Sequence, residues 1–282
     1  MMNFTFFTFG GSQLWEDVFF YQKWRIQRHY RSKRYRLLDK WDIQRASGGF
    51  EDCRKAFIKF IEAHEIPRQQ GELIILLHGL GETKNVFKPL IKQLTQVGYN
   101  VASINYPSTK KSIKSIIKQL EFFLNHCEDV SKVSFITKGI SCLILRKLIS
   151  STYGWQEKFR LNKVINVNPV NKGSDWFDLL SRFNIFNLIF GPLLKETTPK
   201  YAKSISILPA EIKLGLIFCD TWIDIIKKPI LDRFKGVKLK SEWSEKSFSD
   251  KSVHIKNTNF NVFNNPETIK ACLNFLSNGE FK

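Results

Sequence analysis

Six short runs of branched, leucine-rich or aromatic residues recur along the chain, at 73–77, 101–106, 133–137, 164–167, 214–219 and 253–255. Between them the apolar positions change to a helical period. Ile113, Ile116, Ile117, Leu120, Phe123 and Leu124 draw one stripe through residues 112–127, and Phe87, Leu90, Ile91 and Leu94 draw another between the first two runs. Strands alternating with helices of this length predict right-handed crossovers, a mainly parallel central sheet and helices on both of its faces, an α/β fold.

Two regions stand outside the alternation. Residues 1–50 form an arm rich in aromatic residues and arginine, expected to pack on the main domain of 51–282, whose first helix is expected from about 50 to 64. Residues 171–210 are longer than an ordinary connection and contain an apolar stretch, 183–194, interrupted by Asn184, Asn187 and Gly191-Pro192. A cap or lid over a site is one reading and a buried connecting helix is the other.

Composition narrows the class. The chain has 282 residues, 43% hydrophobic and 25% charged, which excludes a disordered chain, a collagen and a small disulfide scaffold. Five cysteines (Cys53, Cys127, Cys142, Cys219, Cys272) are scattered with no C-x-x-C pair, so reduced buried thiols are expected, with neither a disulfide framework nor a metal site. No leader pattern opens the sequence, and no run approaches the ~18 apolar residues of a membrane span. A cytoplasmic setting is the expectation, with no cofactor.

The charge balance is the strongest departure from average: 44 Lys and Arg against 26 Asp and Glu, a net +18. Such a field favours polyanions. In the arm, Lys23, Arg25, Arg28, Arg31, Lys33, Arg34 and Arg36 precede the first acid, Asp39, and alternate with Trp24, Tyr30 and Tyr35. Arg31, Lys33 and Arg34 are the candidate anion-binding positions, for a peripheral anionic membrane rather than nucleic acid. A solvated basic face is the alternative.

Candidate chemistry sits at the strand ends. The first run leads into His78-Gly79-Leu80-Gly81, which places the Leu80 N–H where it faces a developing oxyanion. The second leads into Tyr106-Pro107-Ser108-Thr109, the third into Lys138-Gly139-Ile140-Ser141, and the fourth into Pro169-Val170-Asn171-Lys172-Gly173-Ser174. The chain closes with Asn264-Asn265-Pro266-Glu267 and a helix.

In this order the motifs resemble the lipase-like and esterase-like α/β hydrolases, in particular a bacterial lipase-like group whose arm reads W-R-I-Q-R…Y-R-L-L-D, here Trp24–Arg28 and Tyr35–Asp39. The resemblance spans residues 24 to 281. It implies the α/β-hydrolase fold with a small cap, ester hydrolysis, and an acyl or lipid-like ligand or a protein partner. Its catalytic residues, however, are not carried over. The G-H-S-x-G elbow serine falls on Gly139, the acid ahead of the G-x-V turn falls on Lys235, and the histidine before N-x-P-E falls on Asn259. Glycine preserves a strained turn but carries no nucleophile, and an amide does not shuttle a proton near neutral pH. The resemblance therefore implies a hydrolase scaffold without its triad, keeping the Leu80 and Ile140 N–H groups beside His78 and Gly79 as an anion-accepting hollow. A surviving esterase would need a displaced nucleophile, Ser141 or Cys142, with His254 as its base.

Overall fold

The computed structural model describes residues 13–151, 154–219, 251–256 and 261–282. The arm is a four-stranded antiparallel meander in the order β1 (Trp15–Tyr21), β2 (Trp24–His29), β3 (Tyr35–Leu38) and β4 (Gln44–Gly48). Tyr21 pairs with Trp24 across a two-residue turn, Gln22-Lys23, in which both φ are positive, as tight hairpins require. One face buries Val18, Phe19, Tyr21, Trp24, Ile26 and Leu37, and α1 (Phe50–Ala63) completes this core with Cys53 and Phe57.

The main sheet contains β5 (Glu72–Leu77), β6 (Asn100–Ile104), β7 (Lys132–Lys138), β8 (Arg160–Val167), β9 (Lys213–Cys219) and β10 (Ser252–Ile255). Its order is β6-β5-β7-β8-β9-β10, with every neighbouring pair parallel. The expected runs and strands coincide because the central strands are buried on both faces, which writes them as continuous apolar segments. Leu73, Ile75 and Leu77 of β5 face α3 (Ile113–Asn125) and α4 (Ser141–Ser150), while Ile74 and Leu76 face α2 (Lys88–Gln96) and α9 (Pro266–Asn278). All six apolar positions of the 112–127 stripe are buried in α3.

α5 (Trp155–Lys158) precedes β8, and the insertion after β8 folds as α6 (Asp175–Ser181), α7 (Asn184–Phe190), a 3-10 turn at Pro192–Thr197 and α8 (Pro199–Lys203). The two sheets meet along buried polar bonds. Asp17 N donates to Asn105 O at 2.9 Å, Asn105 N donates to Asp17 Oδ2 at 2.7 Å, and Gln119 Nε2 donates to both main-chain oxygens at 2.9 Å.

The order fixes where a ligand would sit. β5 feeds α2 on one face of the sheet and β7 feeds α4 on the other, so their carboxyl ends flank the topological switch point, where open α/β sheets bind ligands. With a glycine turn after β7, this is the α/β-hydrolase arrangement that the sequence resemblance implies. No helix among the described residues is long and apolar enough to cross a membrane. All five cysteines are buried thiols.

Candidate functional site

Gly139 forms the sharp turn from β7 into α4. Its φ is +59°, a left-handed conformation that side chains rarely adopt, and its N–H donates to Val167 O at 2.9 Å. A Cβ built there meets no heavy atom within 4 Å, so the turn has space for a side chain that the sequence does not provide. Two residues on, Ser141 is fully buried. Its Oγ accepts from Lys138 N at 2.8 Å and lies 2.7 Å from Leu77 O and 2.9 Å from Lys138 O, so its hydroxyl ties the turn to β5. Cys142 is also buried, and its Sγ accepts from Val170 N at 3.3 Å.

On the β5 side, His78 is fully buried and stacks on Tyr106 with ring centroids 4.0 Å apart. Because a carbonyl can only accept, Nδ1 donates to Gly79 O at 2.9 Å, leaving Nε2 to accept from Tyr106 N at 3.4 Å. Burial, above all, pushes this imidazole down to about 4, so it is neutral at ordinary pH. The Tyr106 hydroxyl donates to His78 O and is pushed well above the usual phenol range, again chiefly by burial.

Sequence reasoning missed a link between the two turns. Glu82 Oε2 accepts from Gly79 N at 2.9 Å, and Glu82 Oε1 pairs with Lys138 Nζ. The signal was local on each side, a glutamate three residues after a turn glycine and a lysine just before Gly139, but their pairing across 56 positions is tertiary. The Leu80 and Ile140 N–H groups, by contrast, donate to no protein group among the described residues.

The insertion covers this end of the sheet. Phe190 lies 3.9 Å from where a Gly81 Cβ would be, and Gly191 packs so closely on the turn after β6 that a Cβ would stand 2.0 Å from Thr109 O. Arg146 of α4 ties the insertion to the main domain: its guanidinium donates to Asn171 O (2.5 Å), Ile205 O (2.5 Å), Ser206 O (3.1 Å) and Ala202 O (3.3 Å). The outward side of α7 exposes Ile185, Leu188 and Ile189.

The structure does not bring the fallback base to the turn. His254 is an exposed residue of β10, the edge strand three places from β7, or roughly 14 Å at the usual strand spacing. Lys235 and Asn259 lie outside the described residues. In the arm, Arg28 pairs with Glu16, and Arg36 bonds Gln27 at 2.7 Å and lies over the Trp15 ring at 3.9 Å. Arg31, Lys33 and Arg34 are instead exposed at the β2–β3 hairpin tip, where Lys33 Nζ donates to Tyr30 O at 2.8 Å.

No family model matches the sequence, and no curated protein matches it. Among solved structures the chain is similar to a carboxylesterase of the thaumarchaeon Nitrososphaera gargenis (13% identity, TM-score 0.48, covering 74% of this chain and 90% of that one). It is also similar to a monoacylglycerol lipase of Paleococcus ferrophilus (15%, 0.47, 74% and 95%) and to a bromoperoxidase from Bacillus anthracis (16%, 0.48, 74% and 93%).

Proposed function

We propose that this protein is a non-hydrolytic binding protein built on the α/β-hydrolase scaffold. Its proposed ligand is an acyl or lipid-like carboxylate whose head meets the Leu80 and Ile140 N–H groups under the cap. One observation carries the reading: the turn that would present a nucleophile has the required left-handed backbone and open space, and glycine occupies it. The neighbouring side chains support it. Ser141 is held by main-chain atoms, Cys142 accepts from Val170, and both ring nitrogens of His78 are engaged by backbone.

All five histidines of the sequence fall among the described residues, and the other four belong to β2, the end of α1, the end of α3 and β10. A serine or cysteine nucleophile needs a base within hydrogen-bond reach, and the one other imidazole on the main sheet, His254, is exposed on β10, three strands from β7.

Turnover of short and long p-nitrophenyl esters, followed beside Ser141→Ala and Cys142→Ala, tests the chemistry. No turnover above buffer is expected; saturable turnover abolished by either substitution would overturn the reading. Displacement of a fluorescent fatty acid by unlabelled fatty acid tests the ligand, with saturable binding expected and none overturning that assignment.

A second reading, docking on an anionic membrane, is favoured by the three exposed cations at the hairpin tip. It requires vesicle binding that weakens steeply with salt and falls in Arg31→Glu/Arg34→Glu.

A further inference from the structure

A cleft of about 300 Å³ opens in the seam between the arm and edge strand β6, bounded by the β1–β2 and β3–β4 turns, Gln69, the 3-10 turn at Lys84–Phe87 and α2. Lys23, Arg25, Lys40, Lys84 and Lys88 line it, against a single lining carboxylate, Asp42. That carboxylate is already shared: Lys84 Nζ donates to it at 2.8 and 3.0 Å, and Arg25 Nε stands 3.5 Å away. Asp17, 3.7 Å from Arg25, spends its oxygens on Gln27 Nε2 and Asn105 N.

The donors left over are informative. Gln69 is 1% exposed and its Nε2 has no hydrogen-bond partner; Arg25 Nε and Nη1 are buried and have none either. Buried N–H groups are expensive to leave unpaired, and here they line the same cleft as Lys23, Lys40 and Lys88, which form no ion pair among the described residues. Burial, and next the Arg25 charge, pushes the Lys84 ammonium down to about 8, the cost of crowding positive charge into a dry seam. An anion of more than one charge, rich in acceptor oxygens, offsets both deficits. Phe20, Ile91 and Val101 give the remaining wall its apolar part, beside polar residues such as Asn85, Thr95 and Asn100, and the volume is at the lower end of the roughly 300–1,000 Å³ typical of small-molecule sites.

We propose that this seam cleft binds a phosphate monoester, its phosphoryl oxygens on Arg25, Lys84 and Gln69 and its organic group against Phe20 and Val101. The site is independent of the β7–α4 turn, and nothing in it depends on whether that turn is chemically silent.

Calorimetric titration of the full chain with phenyl phosphate and with inorganic phosphate, at fixed ionic strength, tests it. One saturable site per chain is expected, with phenyl phosphate the tighter ligand. Lys23 and Lys88 are exposed, so Lys23→Glu/Lys88→Glu preserves folding, checked by thermal melting, and is expected to weaken binding at least tenfold. Arg31→Glu/Arg34→Glu makes the same charge change at the hairpin tip and is expected to alter it less than twofold. No saturable binding, or an equal loss in the tip variant, would overturn the site as a diffuse field effect. Equal affinity for the two ligands would overturn the ester assignment in favour of free phosphate.

Discussion

The turn at the switch point and the seam beside the arm are both polar and largely buried, yet they treat their polar groups in opposite ways. At the turn, Ser141, His78, Glu82 and Lys138 are engaged by backbone or by one another. In the seam, Gln69 Nε2 is buried without a hydrogen-bond partner, Arg25 meets Asp17 and Asp42 only at ion-pair distance, and five cations line the cleft against one lining carboxylate. Polar groups that engage one another stabilise the fold, whereas a site that takes a ligand has to leave part of its bonding unfinished. On this view the side chains of the turn stabilise the fold and leave the Leu80 and Ile140 N–H groups as its open donors, while the seam leaves a side-chain donor open.

The largest expected effect concerns His78. Unfolded, its imidazole takes up a proton as pH falls through about 6.5; folded, it resists until about 4. The unfolded state binds more protons in that window, so stability is lost as pH falls from 6.5 to 4, by on the order of 3 kcal/mol from this group. Urea unfolding at pH 7 and pH 4.5 should show a steeper loss in the native sequence than in His78→Asn. Parallel pH profiles would mean that the buried ring does not resist protonation.

Ser141→Val comes next. It strips the acceptor from Lys138 N–H and is expected to cost about 2 kcal/mol, read as a lower denaturation midpoint. An unchanged midpoint would mean that the hydroxyl is not structural, which breaks the contrast on the turn side. The smallest stability effect belongs to the seam. Gln69→Leu removes an Nε2 donor that has no partner and an Oε1 that accepts only a long 3.4 Å bond from Gln22 N, so stability should change by about 1 kcal/mol or less while phenyl phosphate binding weakens. A large destabilisation would place Gln69 among the satisfied structural groups instead.

The sequence made the sheet legible because β5, β7 and β8 are buried on both faces and α3 carries an uninterrupted stripe. The arm's four strands escaped it. Their apolar alternation is blurred by Glu16, Asp17, Gln27 and Arg36, which are buried in a polar network rather than exposed, so they read as loop-like charge. Gly139 was legible because the register from β7 into α4 has no gap. The Glu82–Lys138 pair and the seam cleft were not, since each assembles residues far apart in the chain. The arm's basic run likewise gave no hint that Arg25 and Arg36 turn inward while Arg31 and Arg34 stay in solvent.

The most direct test of the silent turn is exposure of the native protein and of Gly139→Ser to a fluorophosphonate probe, read by intact mass. Neither should gain an adduct, because the native turn offers no nucleophile and the restored serine finds no free imidazole to activate it. A stoichiometric adduct on the native chain, at Ser141 or Cys142, would contradict the account.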